Sequence, residues 1–135
     1  MPANVMWKNE AKTELLFVYE GRWTLSDFYA ATEKGNALLD EVYYPVNMVL
    51  DIRNSKTLPE GFINAISNVS RKSHPNTGIM VMVGINVFAR TFISWYRKLY
   101  PAKTSDKTIY YAGSYEEAEA IMESLATTKD IIHTR

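Results

Sequence analysis

A chain of 135 residues with no cysteine, and with 15 basic side chains set against 15 acidic ones, is long enough for one domain and has no net charge. That balance gives no general attraction to nucleic acid or to an anionic membrane, and the missing cysteine excludes a disulfide framework and a thiol nucleophile. No apolar run approaches the roughly 18 residues of a membrane span, and Met1 to Glu10 lacks the charged-then-apolar pattern of a secretory leader. The expectation is one soluble, cytoplasmic domain over residues 1–135. Asn68-Val-Ser70 fits a glycosylation pattern, but with no leader the match is read as chance.

In chain order, Val5 to Trp7 and Leu15 to Tyr19 are short apolar runs around the polar Lys8 to Lys12, which predicts a strand, a turn and an antiparallel strand. Thr24-Leu-Ser-Asp27 has the spacing of a capping box, and Leu25, Phe28, Thr32, Gly35 and Leu39 follow at helical intervals. A first helix is therefore predicted from about Leu25 to Glu41, before Pro45. Asn47 to Ile52 holds the unbroken apolar core of a strand covered on both faces. Pro59 suits the first turn of a second helix, striped by Phe62, Ile63, Ile66 and Val69 and closing at Arg71 to His74.

After the turn signal His74 to Gly78, Ile79 to Val83 is the most apolar run and predicts a central strand. Asn86 is a candidate cap for a third helix striped by Phe88, Phe92, Trp95, Tyr96 and Leu99, limited by Pro101. Thr108 to Ala112 predicts the last strand. Ser114-Tyr-Glu-Glu117 repeats the capping-box spacing before Ala118, Ile121, Met122 and Leu125, and a loose tail is expected beyond. The fold class is α/β, in the order β-β-α-β-α-β-α-β-α: four helices and a mostly parallel five-stranded sheet with an antiparallel N-terminal edge. Right-handed crossovers put the last four strands in sequential order.

That order, with Glu20-Gly-Arg-Trp23 before a capped helix, Asp51-Ile-Arg-Asn-Ser55, Leu58-Pro-Glu-Gly61, His74-Pro75 and Gly84-Ile-Asn86, resembles the STAS domain. This is the fold of bacterial anti-sigma-factor antagonists and of the cytoplasmic tails of sulfate transporters. More narrowly, the chain resembles small stand-alone SpoIIAA-like bacterial proteins. The resemblance implies a regulatory protein-interaction module, with a regulatory kinase or sigma-factor regulator as the kind of partner. In the antagonists a serine or threonine at the helix start is phosphorylated. The matching segment here, Leu58-Pro59-Glu60-Gly61, keeps the glycine and has no hydroxyl. Glu60 would set a fixed negative charge there, which its place in a first helical turn already explains.

The catalytic signatures are missing. His74 and His133 fall in a turn and in the tail without a second ligand at useful spacing, so no metal, cofactor or enzyme activity is expected. Neither Gly84-Ile-Asn-Val87 nor Gly113-Ser114 makes a phosphate loop or a nucleophile elbow. Two sites are expected instead. A rim at the carboxyl ends of the strands gathers Asp51, Arg53, Asn54, Ser55, Lys56, Glu60 and Asn86 for a protein partner, meeting Glu20, Arg22 and Trp23. The ordinary role of Asp51 is to fix Arg53 or cap a backbone group. Trp95, Tyr96 and Tyr100 extend the third helix beyond a narrow core seam and offer a face for dimerisation or an apolar ligand. With Met80 and Met82 on the adjacent strand, they carry the alternative reading: a carrier or sensor of a small apolar or lipid-like molecule.

Overall fold

A computed structural model describes residues 3–84 and 109–133. The strands are β1 (Ala3–Trp7), β2 (Glu14–Gly21), β3 (Val46–Ser55), β4 (Thr77–Val83) and β5 (Ile109–Ala112). The helices among the described residues are α1 (Leu25–Leu39), α2 (Phe62–Arg71) and α3 (Tyr115–His133). The sheet runs β1-β2-β3-β4-β5, antiparallel only at β1–β2, as the strand-helix alternation requires. The expected third helix, with Asn86, Phe88, Phe92, Trp95, Tyr96, Leu99 and Tyr100, lies outside the described residues.

Because β2, β3 and β4 step in one direction across the sheet through like-handed crossovers, α1 and α2 share one face. Leu15, Phe17 and Tyr19 of β2, Met48, Leu50 and Ile52 of β3, and Met80 and Met82 of β4 bury there against Phe28, Ala31, Leu39, Phe62 and Ala65. The alternate residues Val49, Val81, Val83 and Ala112 pack on the opposite face against Ala118 and Met122 of α3. Each central strand is thus apolar in both phases of its pleat, and its sequence reads as a continuous run.

Local chemistry sets the helix ends. Thr24 closes the predicted capping box, its Oγ1 accepting from the Asp27 amide at 3.2 Å while the Asp27 carboxylate accepts from the Thr24 amide at 2.8 Å. At α3, Ser114 Oγ accepts from the Glu117 amide, but Glu117 turns back to the amide of Gly113.

Three boundaries differ from expectation. Helix α2 begins at Phe62, after Pro59: Gly61 adopts φ +82°, which no α-helix contains, and the turn closes through the Phe62 amide to Pro59 O. Strand β3 runs on to Ser55, so Arg53, Asn54 and Ser55 are strand residues where a loop was expected. Helix α3 continues to His133 where a tail was expected, because the segment from Ala126 to His133 holds no glycine or proline to stop it. Leu39, fully buried at the end of α1, anchors that helix to the sheet. Leu39→Ala should lower unfolding free energy by about 2–5 kcal/mol with no change of fold, read by chemical denaturation.

Candidate functional site

Strand β3 delivers Asp51 to the α3 face between Leu50 and Ile52, paired with Val18 of β2 and Val83 of β4. Burial alone would raise that carboxyl. It is instead held below the usual range, because its oxygens accept hydrogen bonds from Arg53 Nε and Nη2 at 3.0 Å, from the Tyr115 hydroxyl at 2.5 Å and from the Arg53 amide at 3.0 Å. The Arg53 guanidinium also lies 4.5 Å from the centroid of the Tyr115 ring. Burial and the bond to Asp51 push the Tyr115 phenol up to about 12, so at neutral pH it stays a proton donor. Asp51 therefore fixes Arg53 and caps its amide, the ordinary role expected of it, with Tyr115 as a partner that no sequence signal pointed to.

A bulge then divides the rim. Val18 pairs with Asp51 but Glu20 with Asn54, so β3 carries one residue more than β2. Beyond it Ser55 Oγ accepts from Trp23 Nε1 at 2.7 Å and donates to Tyr19 O, inside the aromatic cluster of Tyr19, Trp23, Phe28 and Phe62. Trp23 is core rather than rim. Asn54, Lys56 and Glu60 are exposed, and Glu60 stands in the turn ahead of α2, outside its first turn. Asn86 lies outside the described residues. The structure brings Asp51 and Arg53 together, sends Ser55 elsewhere and leaves Asn54, Lys56 and Glu60 in solvent.

Gly84 follows β4 at φ +91°, and a Cβ there would come within 2.1 Å of Arg53 Cγ and 2.8 Å of its Cα. Gly84→Ala should cost about 1–3 kcal/mol from the backbone alone. The Arg53–Tyr115 contact should be displaced as well, seen as a shift in the Tyr115 ring resonances.

Next to this network, Lys8 Nζ sits 2.7 Å from Glu119 and 3.8 Å from Glu14 Oε1, which has no hydrogen-bond partner among the described residues. Burial first, then hydrogen bonding to the Glu119 carboxylate, raises Glu14 to about 7, while the bond from Glu14 and the charge of Lys8 hold Glu119 down. An unfolded glutamate releases its proton near 4.5. Between that value and about 7 the folded chain binds more protons, so stability falls as pH rises through this window. Melting curves of Glu14→Gln should show a clearly smaller drop in Tm between about pH 5 and 7.5 than the parent.

The second feature lies on the opposite face. Between α1 and α2 an open cleft of about 630 Å³ runs over the sheet, within the range of small-molecule sites. Its floor is Phe17, Met48, Leu50 and Met80, with Tyr19 and Phe28 toward one end. Arg71, Lys72, Ser73, His74 and Thr77 stand at the other, opposite Asn36 of α1. His74 is held half-buried, its Nδ1 accepting from the Asn76 amide at 3.0 Å, which leaves Nε2 as the donor to Asp40 at 2.7 Å. Met80, singled out for an apolar ligand, lines this cleft; Met82 is fully buried and does not. Among the described residues no helix is long and apolar enough to cross a membrane, and no cluster of metal-binding side chains forms.

No protein-family model matches the chain, and no curated protein does. A solved structure does: an uncharacterised protein of the DUF3478 family with a SpoIIAA-like fold, from Shewanella loihica, superposes with a TM-score of 0.58 at 11% identity. The match covers 87% of this chain and 90% of that one. The chain has the STAS or SpoIIAA-like α/β fold that its element order and short motifs implied.

Proposed function

We propose that this SpoIIAA-like domain is a non-catalytic binding module that holds a small apolar molecule in the cleft between α1 and α2. The observation that carries the reading is the cleft itself, of about 630 Å³ and floored by Phe17, Met48, Leu50 and Met80. Apolar surface left facing water is unfavourable by about 25 cal/mol per Å², and a ligand that covers it recovers that energy. The rim at the end of β3 offers less for catalysis, because the Asp51 carboxylate is already saturated by Arg53 and Tyr115. Docking of a protein partner is the second reading. It is supported by the exposure of Asn54 at the end of β3 and of Lys56 and Glu60 in the connection to α2, where the phosphorylation switch of the antagonists has no hydroxyl to act on between Leu58 and Gly61.

Thr32 of α1 lines the cleft, and its hydroxyl donates to the backbone carbonyl of Phe28. Thr32→Trp should fill the space while leaving the sheet core intact. The uncharged dye Nile red should bind the parent saturably with a stoichiometry near one, and the variant about tenfold more weakly or worse, at unchanged circular dichroism. Binding that never saturates, or that ignores the tryptophan, would remove the cleft as a ligand site.

A further inference from the structure

We infer that the ligand of this cleft is a single-chain amphiphile with an anionic head, the head at Arg71 and Lys72 and the chain lying toward Phe28. The inference rests on the cleft being a ligand site, and it adds the chemical class. The two ends of the cleft differ in kind. Toward the start of β4 its wall is made of Arg71, Lys72, Ser73, His74 and Thr77; toward the end of β2 it is made of Tyr19, Phe28 and Tyr29. From the level of Val46, paired with Thr77, to Ile52 strand β3 spans about 20 Å at 3.3 Å per residue, room for an extended acyl chain.

The lining includes no aspartate or glutamate among the described residues. Among the described residues Arg71 meets only the side-chain oxygen of Asn68, and Lys72 meets no carboxylate. The nearby Asp40 accepts a hydrogen bond from His74 and is not among the described lining residues. A helix C-terminus attracts cations by its dipole, which accounts for basic residues at the end of α2. It does not account for their standing over an apolar floor with their charge unbalanced. An anionic head supplies that balance, and hydrogen bonds between charged groups are roughly twice as strong as neutral ones.

Tyr19 is the competing position for the head: it is 2% exposed, lines the far end, and its hydroxyl has no hydrogen-bond partner among the described residues. Burial pushes its phenol up, so it is a neutral donor that cannot offset a negative charge. The charge goes to the other end.

The test is titration calorimetry with dodecanoate, dodecanol and dodecyltrimethylammonium on the full chain. Dodecanoate should bind about tenfold tighter than dodecanol, and the cation weakest. In Lys72→Gln, and further in Arg71→Gln/Lys72→Gln, the preference for dodecanoate should shrink to about threefold or less, with dodecanol unchanged. Equal affinity for dodecanoate and dodecanol in the parent would overturn the assignment while leaving the cleft an apolar site. So would a preference that survives both substitutions, or one abolished by Tyr19→Phe instead. If none of the three binds, the cleft reading fails as a whole.

Discussion

The structure depends on a constraint in β3: a strand at the middle of the sheet, between β2 and β4, buried on both faces, with a carboxylate in the buried run. Alternation sends Met48, Leu50 and Ile52 under α1 and α2, and Val49 and Asp51 toward α3. A charge left unpaired there would be prohibitively costly. Asp51 is therefore surrounded by donors from its own strand and from the first residue of α3. The same requirement reaches Gly84, because the Arg53 that answers Asp51 lies against the backbone just after β4 and leaves no room for a side chain. One buried carboxylate thus ties together β3, the end of β4 and the start of α3.

That tie also explains why the two faces differ. On the α3 face, most polar groups pair with one another: Lys8 with Glu119, Tyr115 and Arg53 with Asp51. On the other face, α1 and α2 close together only at one end, where Phe28 and Phe62 meet edge to face at 5.5 Å with Trp23 beside them. Away from that contact the floor of β2, β3 and β4 is left uncovered between the helices, and the cleft results. Gly35 of α1 lies within 2.6 Å of the Phe17 ring, measured from where a Cβ would stand, so this helix already sits as low on the sheet as its sequence permits. The cleft is not a packing defect that a small settling of α1 could remove.

Much of the fold was legible because the strands and helices announce themselves by period. The apolar runs at β3 and β4, the capping box at Thr24 and the order of the described elements survive in three dimensions. The start of α2 was not, because Pro59 suits both a first helical turn and the turn before it, and only the left-handed Gly61 decides between them. The candidate rim was half legible. The pairing of Asp51 with Arg53 is local, two residues apart, and can be anticipated; Tyr115 is 64 positions away and looks like a cap residue. Ser55 looked like a rim hydroxyl because the strand was expected to end at Ile52, whereas β3 continues past a bulge that the sequence does not mark. The cleft was invisible for a different reason. Periodicity records which residues face a core, not whether the facing surfaces meet.

The charge distribution carries the last step. Summed over the chain, the basic and acidic side chains cancel, which argued against any polyanionic partner. The cancellation is global and says nothing of a single cleft, where Arg71 and Lys72 share an apolar floor with no acid among the described lining residues. A neutral protein can hold a locally cationic site when its acids lie elsewhere, as Glu119 does beside Lys8 and Asp51 beside Arg53. Such a site discriminates by contact rather than by long-range steering, because beyond about 8–10 Å in physiological salt the surrounding charges are screened. It therefore suits a small molecule with one charge better than an extended polyanion, which would need a continuous basic surface that this chain lacks among its described residues.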